Sequence, residues 1–158
     1  MKNKYSIITL CLFLMGGVYN LWTLRPVNIL HIDSDGGSAV VLVVDHLPWT
    51  DRGKIDWFLA RREEVRAKYP LYNEGWHRYY IMSIGDGFTN HESSPHEDLL
   101  CFPVITNHNN CVIKDYLLIV DEYQNRNTQF YVSDADIEYQ MTPDNKIEFF
   151  PRPGSLAE

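Results

Sequence analysis

The sequence predicts an α+β protein: an N-terminal transmembrane helix, then a small domain in which one main amphipathic helix packs on a largely antiparallel, twisted sheet. Three observations carry that prediction. Residues 5–24 hold no charged side chain, residues 51–68 repeat apolar positions at helical spacing, and the rest of the chain is a series of short β-branched and aromatic runs separated by Gly, Asn and Asp. A sheet of that kind needs a helix to cover one face, and a single helix is available.

Taken in order, Lys2 and Lys4 precede the uncharged run, and Arg25-Pro26 closes it. At about 1.5 Å per residue the run makes about 30 Å of helix, one hydrocarbon thickness, so residues 5–24 are assigned as an anchor and 1–4 as its cytoplasmic flank. A cleaved signal peptide fits less well, because such apolar cores span about 7–15 residues and end in a small-x-small site. Here Gly16-Gly17 follows Leu14-Met15, and the next residues are bulky. Cys11 lies mid-run after Ile8-Thr9-Leu10, which does not suit lipid attachment. Tyr19 and Trp22 fall where amphipathic rings favour headgroups. The N-terminal flank is the more basic, and nothing basic follows Arg25 until Arg52, so the N-terminus stays in the cytoplasm and residues 25–158 face the periplasm.

Residues 27–33 alternate and 39–44 are continuously apolar, with Ser34-Asp35-Gly36-Gly37-Ser38 supplying a hairpin turn. Pro26 ends the anchor close to the first strand. Thr50 or Asp51 caps the helix over 51–68; Arg66 and Lys68 suit its C-terminus, and Pro70 stops it. Ile55, Phe58, Leu59, Val65 and Tyr69 form its inner face, with Arg61, Arg62, Glu63 and Glu64 outside. Pro48-Trp49 and Trp57 read as staple and core aromatics. From residue 76 the chain reads as a meander with strands at 76–84, 98–105, 111–123, 129–133, 137–141 and 146–150, ended by Pro151, Pro153 and Gly154.

Beyond the apolar run the cysteines are Cys101 and Cys111, on the two arms of a predicted hairpin, where an oxidising compartment would keep a disulfide. Reduced, half-buried thiols are the alternative. The part after the run carries 12 basic and 21 acidic residues, a formal charge of −9, which argues against nucleic acid and anionic lipid surfaces and favours a basic partner.

For catalysis the best cluster is His91-Glu92-Ser93-Ser94-Pro95-His96-Glu97-Asp98. His91 and His96 among carboxylates are the weak metal candidates, but Pro95 and a solvated loop leave ligand geometry unspecified, so neither metal nor cofactor is expected. His31, His46, His77 and His108 are scattered, and no nucleophile elbow, phosphate loop or zincin motif is present. An enzyme is therefore not expected.

The Leu24-Arg25-Pro26-Val27 exit, Leu47-Pro48-Trp49-Thr50-Asp51-Arg52-Gly53-Lys54-Ile55-Asp56-Trp57, Gly85-Asp86-Gly87, Leu100-Cys101-Phe102 and Asn110-Cys111-Val112-Ile113-Lys114-Asp115 resemble the enterobacterial inner-membrane family called domain of unknown function 943. That resemblance covers most of the chain and implies a single-span protein with an exported domain, with no activity to carry over. Short anchored proteins of this kind often lie near toxin or secretion-system genes. The expected function is a periplasmic protein-binding domain on a single-pass inner-membrane protein, of the immunity type that neutralises a basic toxin or effector. A structural accessory of an envelope complex is the alternative, and a periplasmic enzyme ranks behind both. Oligomeric state is not readable.

Overall fold

The computed structural model describes residues 2–23, 25–133 and 137–150. Leu24 and the terminators Pro151, Pro153 and Gly154 lie outside these, as do the side chains of Lys2, Lys4 and Trp22. Helix α1 (Lys2–Thr23) leads into β1 (Ile29–Ser34) and β2 (Ala39–Val44), and α2 (Asp51–Lys68) connects to β3 (Trp76–Ser83). After β4 (Leu99–Cys101) and β5 (Cys111–Ile113) come β6 (Tyr116–Tyr123), β7 (Thr128–Val132), β8 (Ile137–Met141) and β9 (Ile147–Phe149). The main sheet has the order β1-β2-β3-β6-β7-β8-β9, and β4-β5 form a separate pair.

Among the described residues only β2 and β3 run parallel, and every other pairing is antiparallel. Parallel neighbours need a long crossover, and α2 is that crossover, which places it on one face of the sheet. Its bounds match the sequence expectation at both ends. Thr50 caps it by accepting a bond from the Gly53 amide at 3.1 Å. A Cβ on Gly53 would lie 2.8 Å from Thr50 Oγ1 and 2.9 Å from Pro48 Cβ, so the cap and the proline turn together require glycine there. The β1–β2 turn places Gly36 at φ +67°, and Asp35 Oδ1 accepts the Gly37, Ser38 and Ala39 amides at 2.8–2.9 Å. Burial pushes the Asp35 carboxyl up, but these amides outweigh it and leave it below the usual carboxylate range.

Under α2 lies the main core. Ile55, Trp57, Phe58 and Val65 meet Val40, Leu42, Val44, Tyr79, Ile81, Leu118, Val120, Phe130 and Val132. The opposite face is covered at its β1–β3 end by β4, β5 and their loops, where Phe102 and Val112 pack on Val43 and Met82.

Three expectations are corrected. The meander is interrupted, because residues 111–123 are two strands in two sheets: the Lys114 amide bonds the Asp98 carbonyl and the Ser83 amide bonds the Asp115 carbonyl, so the chain changes partners there. Trp57 is buried as expected, but Trp49, expected as a staple on α2, is 53% exposed and its ring meets Tyr19 of α1 edge-on at 5.7 Å. Among the described residues no helix is long and apolar enough to cross a membrane. Residues 5–23 of the expected anchor are helical, within α1, but the crossing expected of residues 5–24 is not supported.

Candidate binding face and disulfide loop

The face of the sheet turned away from α2 changes character from β3 outward. Register puts Trp76 opposite Tyr123, Arg78 opposite Asp121 and Tyr80 opposite Ile119, then Ile119 opposite Tyr131 and Asp121 opposite Gln129. All of these share one side of the pleat. At the centre Arg78 grips both carboxylate oxygens of Asp121 through Nε and Nη2. Asp121 is fully buried, and the Arg78 guanidinium lies 5.0 Å from the Trp76 ring centre and 5.8 Å from that of Tyr80. A bidentate pair stacked between rings offsets the desolvation cost of burying the carboxylate. The paired carboxylate also keeps the Arg78 guanidinium firmly protonated. Around the pair, Tyr123 Oη donates to Asp121 at 3.4 Å, Arg126 stacks on the Tyr123 ring at 5.8 Å, and Tyr131 Oη donates to Gln129 at 3.0 Å. Burial, then the Glu138 and Asp121 carboxylates, push the Tyr131 hydroxyl up to about 12, so it stays a neutral donor.

Trp76, Arg78, Tyr80, Tyr123, Gln129 and Tyr131 are half-buried. They form an amphipathic surface with rigid rings and placed hydrogen-bonding tips. Where the strands end, a groove of about 450 Å³ lies between Arg66, Trp76, His77, Tyr79, Glu122 and Tyr123. Arg66 Nη2 pairs with the nearly buried Glu122 there, so ion pairs flank the rings on both sides of the sheet. Sequence reading missed this face. Its signal was present as Tyr, Arg, Asp and Trp at alternate positions of residues 76–80 and 119–123, but which residues stand opposite one another depends on pairing β3 with β6, 40 residues apart.

The sequence-predicted site residues gather elsewhere. Cys101 and Cys111, cross-strand partners in the β4–β5 pair, are joined by a disulfide with their Cα atoms 3.9 Å apart. Cys111 is 1% exposed. His91 stands beside them, its Nε2 3.5 Å from Cys101 Sγ, whereas His96 does not belong to this cluster. The loop that carries His91 is held rather than merely solvated. Thr89 and Cys111 exchange both backbone hydrogen bonds at 2.8 and 2.9 Å, Asn90 is buried and caps the Ser93 amide at 2.8 Å, and Thr89 Oγ1 meets Ser94 Oγ at 2.8 Å. His108 Nε2 lies 3.5 Å from Glu92 on the exposed rim of this region.

The fold is a mixed α+β domain preceded by an apolar helix, with a ring-rich sheet face and a disulfide-closed loop. The chain belongs to the family described as enterobacterial putative membrane protein, domain of unknown function 943, whose model matches residues 1–150. No curated protein and no solved structure matches it.

Proposed function

We propose that this chain is a single-pass inner-membrane protein, N-terminus in the cytoplasm, whose periplasmic domain binds one basic protein partner stoichiometrically through the Trp76–Tyr131 sheet face. The carrying observation is the cluster of Trp76, Tyr80, Tyr123 and Tyr131 around the Arg78–Asp121 pair: half-buried rings with polar tips are the residue types that anchor protein interfaces at low entropic cost. A formal charge of −9 on residues 25–158 supplies the complement to a basic partner. The membrane location draws on the family's description and on the large apolar side chains of α1, such as Phe13 and Leu21 at 80% and 77% exposure, which need cover from lipid or protein. The Cys101–Cys111 disulfide suits an oxidising compartment.

Within this reading the partner is a toxin or effector and the protein is its immunity factor. The test is survival of cells expressing the full chain when a toxin encoded beside it is delivered to the periplasm. Protection should persist when residues 1–24 are replaced by an unrelated anchor, and should fail when they are deleted. Binding of the detergent-solubilised chain to that toxin should slow as salt shortens the Debye length from about 10 Å to about 3 Å. Tyr123→Ala with Tyr131→Ala should weaken it. Loss of function on anchor exchange with the tyrosine variant intact would favour an accessory subunit working through α1, a reading that the exposure of Ile7, Ile8, Leu12 and Phe13 around the helix supports. Protection by the chain without residues 1–24, or turnover of a small substrate, would overturn the proposal.

A further inference from the structure

We propose that His91, Cys101 and Cys111 form a zinc-type metal site whenever the disulfide is open, so that one pair of sulfurs serves as either a covalent staple or a metal clamp. The ligand atoms of all three residues lie within 4.8 Å of one another. A tetrahedral centre with Zn–S near 2.3 Å and Zn–N near 2.0 Å spaces its sulfurs about 3.8 Å apart and each sulfur about 3.5 Å from the imidazole nitrogen. His91 Nε2 already stands 3.5 Å from Cys101 Sγ. With the two Cα atoms 3.9 Å apart, side-chain rotation alone opens the sulfurs to that spacing.

Placement is fixed by the backbone. Register sets Cys101 opposite Cys111, and the Thr89–Cys111 bridge brings the next loop alongside so that His91, two residues later, reaches the sulfurs. Buried Cys111 walls one side, while exposed His91 leaves a path for an ion and a fourth position for water. Neither cysteine pair nor histidine pair would suffice alone, and the sequence offered His91 only with His96.

Opening the bond takes two electrons and two protons from a dithiol reductant, which departs as its own disulfide and leaves two thiols on the protein. Metal entry then displaces one proton from each sulfur and uses the neutral imidazole nitrogen as third ligand. Thiolates with imidazole select zinc-like soft cations over Mg²⁺ or Ca²⁺.

The full chain in detergent, reduced with a phosphine that is then removed, should take up one Zn²⁺ per chain in competition with a chromophoric chelator, and with Co²⁺ should show a thiolate charge-transfer band. The oxidised chain should show neither. His91→Ala, an exposed change that leaves the disulfide in place when oxidised, should weaken Zn²⁺ binding by roughly tenfold or more, and Cys101→Ser should abolish the cobalt band. Failure of the folded, reduced chain to bind, equal affinity in His91→Ala, or equal uptake by the oxidised chain would each overturn the site. Where reduction unfolds the domain, Zn²⁺ should restore its far-UV circular dichroism in the wild type and not in Cys101→Ser, and lack of that restoration is equally decisive against it.

Discussion

On the face beneath α2 the central strands present Val40, Leu42, Tyr79, Ile81, Leu118, Val120 and Phe130, and all are fully buried. One residue along each of β3, β6 and β7, the other face presents Arg78, Tyr80, Asp121, Tyr123, Gln129 and Tyr131, and among these Asp121 is as deeply buried as neighbouring Val120. Depth is therefore equal at adjacent positions while the means of stabilisation are opposite. The covered face is held by non-directional contact with a helix, and the open face by a bidentate ion pair that its own rings shield. A surface of the first kind tolerates volume-conserving exchange, whereas the second does not tolerate removal of one partner of its central ion pair but leaves its rim free to meet a partner.

The largest effect expected from breaking this contrast is at Phe58, which bridges α2 to the covered face and packs 5.0 Å from the Tyr79 ring. Phe58→Ala should cost about 3–5 kcal/mol in chemical denaturation. Arg78→Ala should approach the same loss, about 3 kcal/mol, because it strands the buried Asp121 carboxylate, while Tyr123→Ala on the rim should cost far less stability and show its effect in binding. A double-mutant cycle between positions 78 and 121 sharpens the point: the two single losses should not add. Cys101→Ser and Cys111→Ser should each cost at most about 3 kcal/mol, since the closed loop is short, and the double mutant should be no worse.

A smaller effect separates the β1–β2 end of the sheet by pH. Burial raises the Asp45 carboxyl, but bonds from the Asn28 amide at 3.0 Å and side chain at 2.8 Å, and then His46, hold it at about 2 against an ordinary 3.8. Because the folded value is the lower one, its contribution is complete above about pH 4 and disappears as pH falls from there through 2. Asp45→Asn should remove about 2 kcal/mol from that acid limb of the unfolding free energy, leaving the slope above pH 5 unchanged. Smallest is Thr50→Ala, about 1 kcal/mol by loss of the α2 cap, with no effect on binding at the open face.

Local chemistry written in consecutive residues was legible. The α2 bounds follow from Thr50, the 3–4 residue apolar spacing and Pro70; the β1–β2 turn follows from Asp35 and Gly36; and β2, β3 and β8 fall where β-branched and aromatic runs lie. The cysteine pairing was visible for the same reason, since ten residues enclose the whole hairpin. Lys54 marks the limit of such reading. It occupies the inner stripe of α2, yet only β7's end places Ser133 Oγ 3.0 Å from its Nζ to make that burial tolerable. The sequence by itself also determined the charge balance, the family and the number of strands to within the split at Lys114-Asp115, because each depends on residue identity or on near neighbours. Tertiary structure alone decided that β2 and β3 are parallel, that Arg78 meets Asp121, and that His91 rather than His96 joins the cysteines. These are choices between residues 10 to 43 positions apart, and they rest on register and packing that no local pattern encodes.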